Sequence, residues 1–192
     1  MFTKEMEMEM KMKGLSLVVA VVAGVGLYAA SAGAGELATR EFKARMSGAQ
    51  EVPAVTTGAA GRIEVDFSKP LDSVGVEIVI GTKPATAVTG AHLHCGAAGV
   101  NQLPLPNSVL NLLAPAGGAP PVAFQDLGTS LKLEATYVGA NLTPVPVATA
   151  TCPVVINNIA SLLNAIRSGL IYVEVHTTAN PNGELRAQIF SK

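Results

Sequence analysis

The sequence is poor in aromatic and in charged residues. It has no tryptophan, aromatic residues make up 4% of the chain, and charged residues make up 14%. A carbohydrate-binding platform and a base-stacking surface both need flat aromatic faces, so this scarcity argues against both functions. Thirteen basic residues against fourteen acidic ones leave a formal net charge of −1. Because a near-neutral chain offers no basic surface, we expect no nucleic-acid partner.

One uncharged hydrophobic run lies near the N-terminus, at residues 15–30, with the sequence LSLVVAVVAGVGLYAA. Lys11 and Lys13 precede it and small residues follow it. This order is typical of a secretory signal peptide, and the run is shorter than the ~20 apolar residues of a spanning helix. We predict an N-terminal extension and signal peptide over residues 1–34, with cleavage near Ala32 or Ala34. The protein would then be secreted or periplasmic, and membrane-bound only through an uncleaved signal.

Residues 40–192 have the size of one domain, and their sequence has the pattern of β-strands. Apolar and polar residues alternate in RIEVDF, VGVEIVI, LKLEATY and IYVEVH. This alternation is typical of β-strands that have one buried face and one solvent-exposed face. Glycines occur between these segments, at the spacing that turns have in a β-sandwich or β-barrel. One short helix is predicted from about Asn158 to Ser168, where Ile159, Leu162, Leu163 and Ile166 recur at helical spacing.

All three histidines fall in two of the strand-like segments. His92 and His94 stand in TGAHLHC and His176 in YVEVHTT. Residues i and i+2 of a strand share a face, so His92 and His94 lie side by side. If the strand of His176 lies across from them, three imidazoles can hold copper or zinc with one position open. The alternative is that these histidines hydrogen-bond to backbone or to carboxylates such as Glu174 and Glu184 and only specify packing.

Cysteine is scarce as well, with Cys95 and Cys152 as the two residues of this type. In an oxidising compartment such a pair is more often a disulfide than two free thiols. The alternative is that Cys95 is a metal thiolate. No G-x-S-x-G motif is present, and nothing in the sequence places a nucleophile beside a base, so we predict no catalytic residues.

Four ordered motifs resemble those of the CHRD (chordin-type) domain family: SGAQEVP at residues 47–53, GAHLH at 90–94, YVEVHT at 172–177 and GELRAQ at 183–188. The resemblance covers about Phe42 to Phe190. It implies an antiparallel β-sandwich of immunoglobulin-like or superoxide-dismutase-like type in an exported protein. Cys95 stands where the family usually shows glycine and proline, and Cys152 lies in an enlarged loop, which favours a disulfide that pins this loop beside the histidine strand.

Four further residues recur in the family motifs: Gln50, Glu51, Glu184 and Arg186. We expect them either to be structural or to hydrogen-bond to the metal ligands without binding the ion themselves. A bidentate pair of Arg186 with Glu51 or Glu184 would tie the N-terminal loop to the last hairpin. Alternatively, one of the carboxylates orients a histidine.

The function that these patterns favour is an exported, non-enzymatic domain that binds a copper or zinc ion or an extracytoplasmic protein. The first alternative is a structural or adhesion module without metal. A redox metalloenzyme is the second, because the H-x-H strand is similar to the copper strand of copper/zinc superoxide dismutases. Those enzymes use more histidines than this chain has, so dismutase activity is disfavoured.

Overall fold

The computed structural model of the protein describes residues 39–101 and 108–190. The predicted signal peptide lies outside these residues. The described part contains nine strands, one helix (α1, Ile159–Arg167) and two short 3₁₀ turns at Gly48–Gln50 and Gly139–Asn141. The strands are β1 Glu41–Ser47, β2 Ala60–Phe67, β3 Ser73–Thr82, β4 Val88–Cys95, β5 Ser108–Asn111, β6 Gln125–Asp126, β7 Leu131–Val138, β8 Ile171–Thr177 and β9 Leu185–Ile189. Within the described ranges, no helix has the length and hydropathy to cross a membrane.

The strands form one curled sheet in the order β5-β4-β8-β9-β1-β2-β3-β7-β6, and all pairs are antiparallel. A single residue pair, Ser47 with Arg186, joins β1 to β9. The sheet therefore has two halves that meet at this junction, and their buried side chains belong to one hydrophobic core. The predicted all-β antiparallel fold with one short helix is confirmed.

Strands β2 and β3 show the alternation that the sequence predicts. Ile63, Val65 and Phe67 of β2 are buried in the core. On the opposite face of β2, Arg62 pairs with Glu77 and Glu64 pairs with Lys43. Each buried aliphatic or aromatic side chain contributes about 1.5–3 kcal/mol relative to exposure, so the register of this half follows from its hydrophobic face.

Strands β8 and β9 differ, because every residue in both is buried. One face of each strand supplies the core, with Val173 and Val175 of β8 and Ala187 of β9. The other face carries polar and aromatic side chains that loops cover: Tyr172, Glu174, His176, Arg186 and Gln188. A sheet face that is both polar and buried is the place where the candidate site lies.

Helix α1 follows the predicted pattern. Its apolar residues Ile159, Leu162 and Ile166 are buried. Asn158 caps the N-terminus: its Oδ1 accepts from Ser161 N at 2.8 Å, and Asn158 N donates back to Ser161 Oγ at 3.0 Å. Gly169, with φ +67°, ends the helix.

The predicted disulfide is confirmed. Cys95, the last residue of β4, is bonded to Cys152 in the segment that precedes α1. Both cysteines are fully buried. The thiol of Cys95 is therefore not available as a metal ligand, and the enlarged loop is attached to the end of the histidine strand.

Candidate metal centre

The three histidines converge because β4 pairs with β8. In this register Gly90 lies opposite His176 and His92 lies opposite Glu174. One ring nitrogen from each of His92, His94 and His176 lies within 4.8 Å of the other two. Donor atoms of a tetrahedral site with bonds of about 2.1 Å are about 3.4 Å apart. Small ring movements would therefore bring all three nitrogens onto one ion.

Gly90 provides the room for this arrangement. A Cβ atom at this position would lie 3.0 Å from Cε1 of His92 and 3.2 Å from Cδ2 of His176. The ring centroids of these two histidines are 4.9 Å apart. Since the side chain of His176 leans across the space opposite it, a residue larger than glycine would push the two rings apart.

The ring of His176 is oriented by a backbone carbonyl. Its Nδ1 lies 3.1 Å from the oxygen of Pro181. A carbonyl only accepts, so Nδ1 carries the hydrogen and Nε2 of the neutral ring carries the lone pair. Nε2 is buried and has no hydrogen-bond partner in the described part of the chain. This is the arrangement in which metal-binding histidines are commonly held.

His92 is held in its neutral form. Burial, together with the nearby His176, lowers the pKa of His92 to about 4. Its Nδ1 is also buried without a hydrogen-bond partner among the residues described. A neutral imidazole offers the lone pair that a metal ion needs, so the environment of His92 suits a ligand at neutral pH.

His94 is 1% exposed and is oriented by aromatic packing. Its ring stacks on Tyr172 with centroids 5.2 Å apart and planes at 17°. The guanidinium carbon of Arg186, on the neighbouring strand β9, lies 3.7 Å from the centre of the Tyr172 ring. The tyrosine thus bridges a histidine of the site and a buried cation.

A carboxylate joins the cluster. Oε2 of Glu174 lies 3.4 Å from Nε2 of His94 and 3.5 Å from Nε2 of His176. From the sequence, Glu174 is predicted only as a hydrogen-bond partner of the histidines, in the alternative without metal. The available signal was its position in β8, since Glu174 and His176 are two residues apart and share a face.

The carboxyl group of Glu51 lies next to that of Glu174. Gly183 lies in the hairpin with a φ of +119°. A Cβ atom at this position would lie 2.7 Å from Oε1 of Glu174 and 2.8 Å from Oε2 of Glu51. The hairpin backbone therefore covers both carboxyl groups. Burial, repulsion by Glu174 and their mutual hydrogen bond raise the pKa of Glu51 to about 9. Glu51 is therefore protonated at neutral pH and donates to Glu174. Burial also raises the pKa of Glu174, while His176 and Glu51 act against that shift.

The structure gives Arg186 partners other than the predicted carboxylates. Its guanidinium donates to Oδ1 of Asn101 at 2.6 Å and to the carbonyls of Val100 at 2.9 Å and Ala97 at 3.5 Å. The loop after β4 folds over Arg186 and presents these acceptors directly. Arg186 therefore anchors that loop to the sheet beside the site.

Glu184 and Gln50 also have structural partners. Glu184 accepts from the hydroxyls of Thr57 at 2.6 Å and Thr177 at 2.5 Å, so it ties the N-terminal loop to the last hairpin without the arginine. Gln50 is exposed, and its amide donates to the carbonyl of Arg45 at 2.7 Å. Of the four motif residues, Glu51 is the one that reaches the histidine cluster, through Glu174.

A cavity of about 430 Å³ opens onto the cluster. The three histidines form part of its wall, together with polar residues such as Thr89 and Asn111. A second cavity, of about 450 Å³, is lined by Glu51, Tyr172 and Glu174 among others. The histidine cavity is large enough for water or a small ligand to reach an ion held by the three rings.

Comparison with known protein families identifies the domain. The family model of the CHRD domain matches residues 42–189. No curated protein matches the chain, and neither does any solved structure.

Proposed function

The chain belongs to the CHRD-domain family, and from this premise we propose that its domain binds one copper or zinc ion outside the cytoplasm through His92, His94 and His176. The observation that carries the proposal is the convergence of the three ring nitrogens within 4.8 Å. Nδ1 of His92 and Nε2 of His176 are buried without a hydrogen-bond partner among the described residues, which is costly in a protein interior. A metal ion bound by these rings would satisfy both histidines.

An extracytoplasmic location is part of the proposal. The N-terminal run at residues 15–30 has the order of a secretory signal. The disulfide between Cys95 and Cys152 is of a kind that forms in oxidising compartments. In such a compartment the domain would bind its metal, or present the loaded site to another protein, without carrying out a reaction.

The test is metal content. The full chain, expressed with its N-terminal segment and purified without a histidine tag, should contain or take up about one equivalent of zinc or copper. We expect His92→Ala to lower the affinity at least about 100-fold, because it removes one of three ligands. His92 is the least buried of the three, so this variant is the one most able to fold.

Thr89→Ala is the matched control, because Thr89 lines the same cavity, is exposed and is not a ligand. It should keep the affinity of the wild type, and circular dichroism should show that both variants are folded. Failure of the wild-type protein to bind either metal at micromolar concentration would support the structural or adhesion module instead.

A further inference from the structure

The face of the sheet that carries the histidines holds a fourth potential ligand. Resting on the proposed function, we infer that Glu174 binds the metal directly through Oε2, which makes the site three imidazoles and one carboxylate and selects divalent over monovalent ions. Glu51 acts as a positioning residue for Glu174. Neither role follows from the H-x-H motif.

The distances support direct ligation. Oε2 of Glu174 lies 3.4 Å and 3.5 Å from the Nε2 atoms of His94 and His176. Ligand atoms around a tetrahedral ion with bonds of about 2.1 Å are about 3.4 Å apart. Oε2 therefore already has the spacing of a shared coordination sphere, whereas the histidine nitrogens are spread over as much as 4.8 Å.

The orientation of the His176 ring also supports direct ligation. Nδ1 of this ring donates to Pro181, so Nε2 is the nitrogen that presents a lone pair when the ring is neutral. That lone pair faces a carboxylate oxygen 3.5 Å away, and Nε2 has no hydrogen-bond partner among the described residues. A divalent ion placed between the two atoms would be attracted both to the ring lone pair and to the carboxylate oxygen.

The two oxygens of Glu174 have different surroundings. Oε1 faces Gly183 and the carboxyl group of Glu51, as the positions around a Cβ on Gly183 show. Oε2 faces the histidines. Glu51 thus occupies one side of the carboxylate and leaves a single oxygen for the metal, as partners of metal-binding carboxylates commonly do.

A carboxylate ligand has a consequence for metal choice. Three neutral imidazoles alone would also accept a soft monovalent ion such as Cu⁺. An anionic oxygen favours a harder divalent ion such as Zn²⁺ or Cu²⁺, both by its charge and by its ligand type. The structure thus favours divalent ions at this site.

The test compares divalent and monovalent binding in one variant. Glu174→Gln keeps the volume and removes the charge. We expect the affinity for Zn²⁺ to fall about 10- to 100-fold, and the affinity for Ag⁺, used as a stable substitute for Cu⁺, to change less than about threefold. Glu77→Gln is the matched control, because it removes a carboxylate in the other half of the sheet that pairs with Arg62 and Lys132 and does not touch the histidines, and it should leave both affinities unchanged.

Each result has a distinct meaning. If Glu174→Gln binds Zn²⁺ as tightly as the wild type while His92→Ala does not bind it, the carboxylate ligand is refuted and the three-histidine site stands. If the wild type binds no metal, both proposals fail. Should the variant not fold, a crystal structure of the zinc-loaded wild type decides: a distance of about 2.0–2.2 Å between zinc and Oε2 is expected, and one beyond about 3 Å overturns the inference.

Discussion

At the scale of single residues, Gly90 controls the distance between two of the rings. An alanine Cβ at this position would contact both His92 and His176 more closely than ordinary van der Waals distance allows. The backbone at Gly90 is held by its pairing with β8, where Gly90 lies opposite His176. The rings must yield instead.

We predict that Gly90→Ala lowers the affinity for Zn²⁺ about tenfold, since displaced ligands lose part of their coordination geometry. Gly75→Ala is the control, because Gly75 also lies within a strand and the nearest atom to its added Cβ is the oxygen of Asp66 at 3.7 Å. Competition titration with a zinc chelator measures both. Equal affinities in the two variants would contradict the role assigned to Gly90.

At the scale of the elements, Glu184 joins the N-terminal loop to the last hairpin. Burial acts to raise its pKa, but hydrogen bonds from Thr177, Thr57 and Asn180 outweigh burial and hold the pKa of Glu184 below its ordinary value of 4.5. A carboxylate with a lowered pKa in the folded state stabilises the fold above the unfolded pKa. This contribution is lost as the pH falls through the folded pKa.

We predict that Glu184→Gln lowers the free energy of unfolding by about 2 kcal/mol at pH 7, the usual contribution of hydrogen bonds to a charged group. As the pH falls below 4.5, the gap between wild type and variant should narrow, because only the wild type takes up this proton. Urea unfolding with a metal chelator, at pH 7 and at pH 3, measures the gap. Glu134→Gln, at an exposed position, should change stability little at either pH. A gap that stays constant with pH would contradict the prediction.

At the scale of the whole molecule, the disulfide joins two parts of the chain that are 57 residues apart in sequence. It attaches the segment before α1 to the end of β4, the strand of His92 and His94. Because Cys95 directly follows His94, the same link limits how far the end of the histidine strand can move.

We predict that the double variant Cys95→Ala/Cys152→Ala unfolds with a free energy lower by about 4 kcal/mol, the chain-entropy value for a loop of this length. Guanidinium unfolding of the variant and of the oxidised and reduced wild type provides the measurement. The variant and the reduced wild type should agree closely. A loss below about 1 kcal/mol in both would show that the unfolded chain is not constrained by this link.

Local pattern predicted much of the fold. Alternation identified β2, β3, β7 and β8, and the helical spacing of Ile159, Leu162 and Ile166 identified α1. These features are local because the period of side chains along a strand or helix is set by backbone geometry alone. The same rule placed His92 and His94 on one face.

The sequence by itself thus determined four of the strands, the helix, the near-neutral charge balance and the set of histidines. Only the tertiary structure decided that β4 lies beside β8, that Glu174 comes between His94 and His176, and that Arg186 binds the loop after β4 instead of a carboxylate. The physical reason is that strand order and register are set by the burial of the whole sheet, in which residues some eighty positions apart become neighbours.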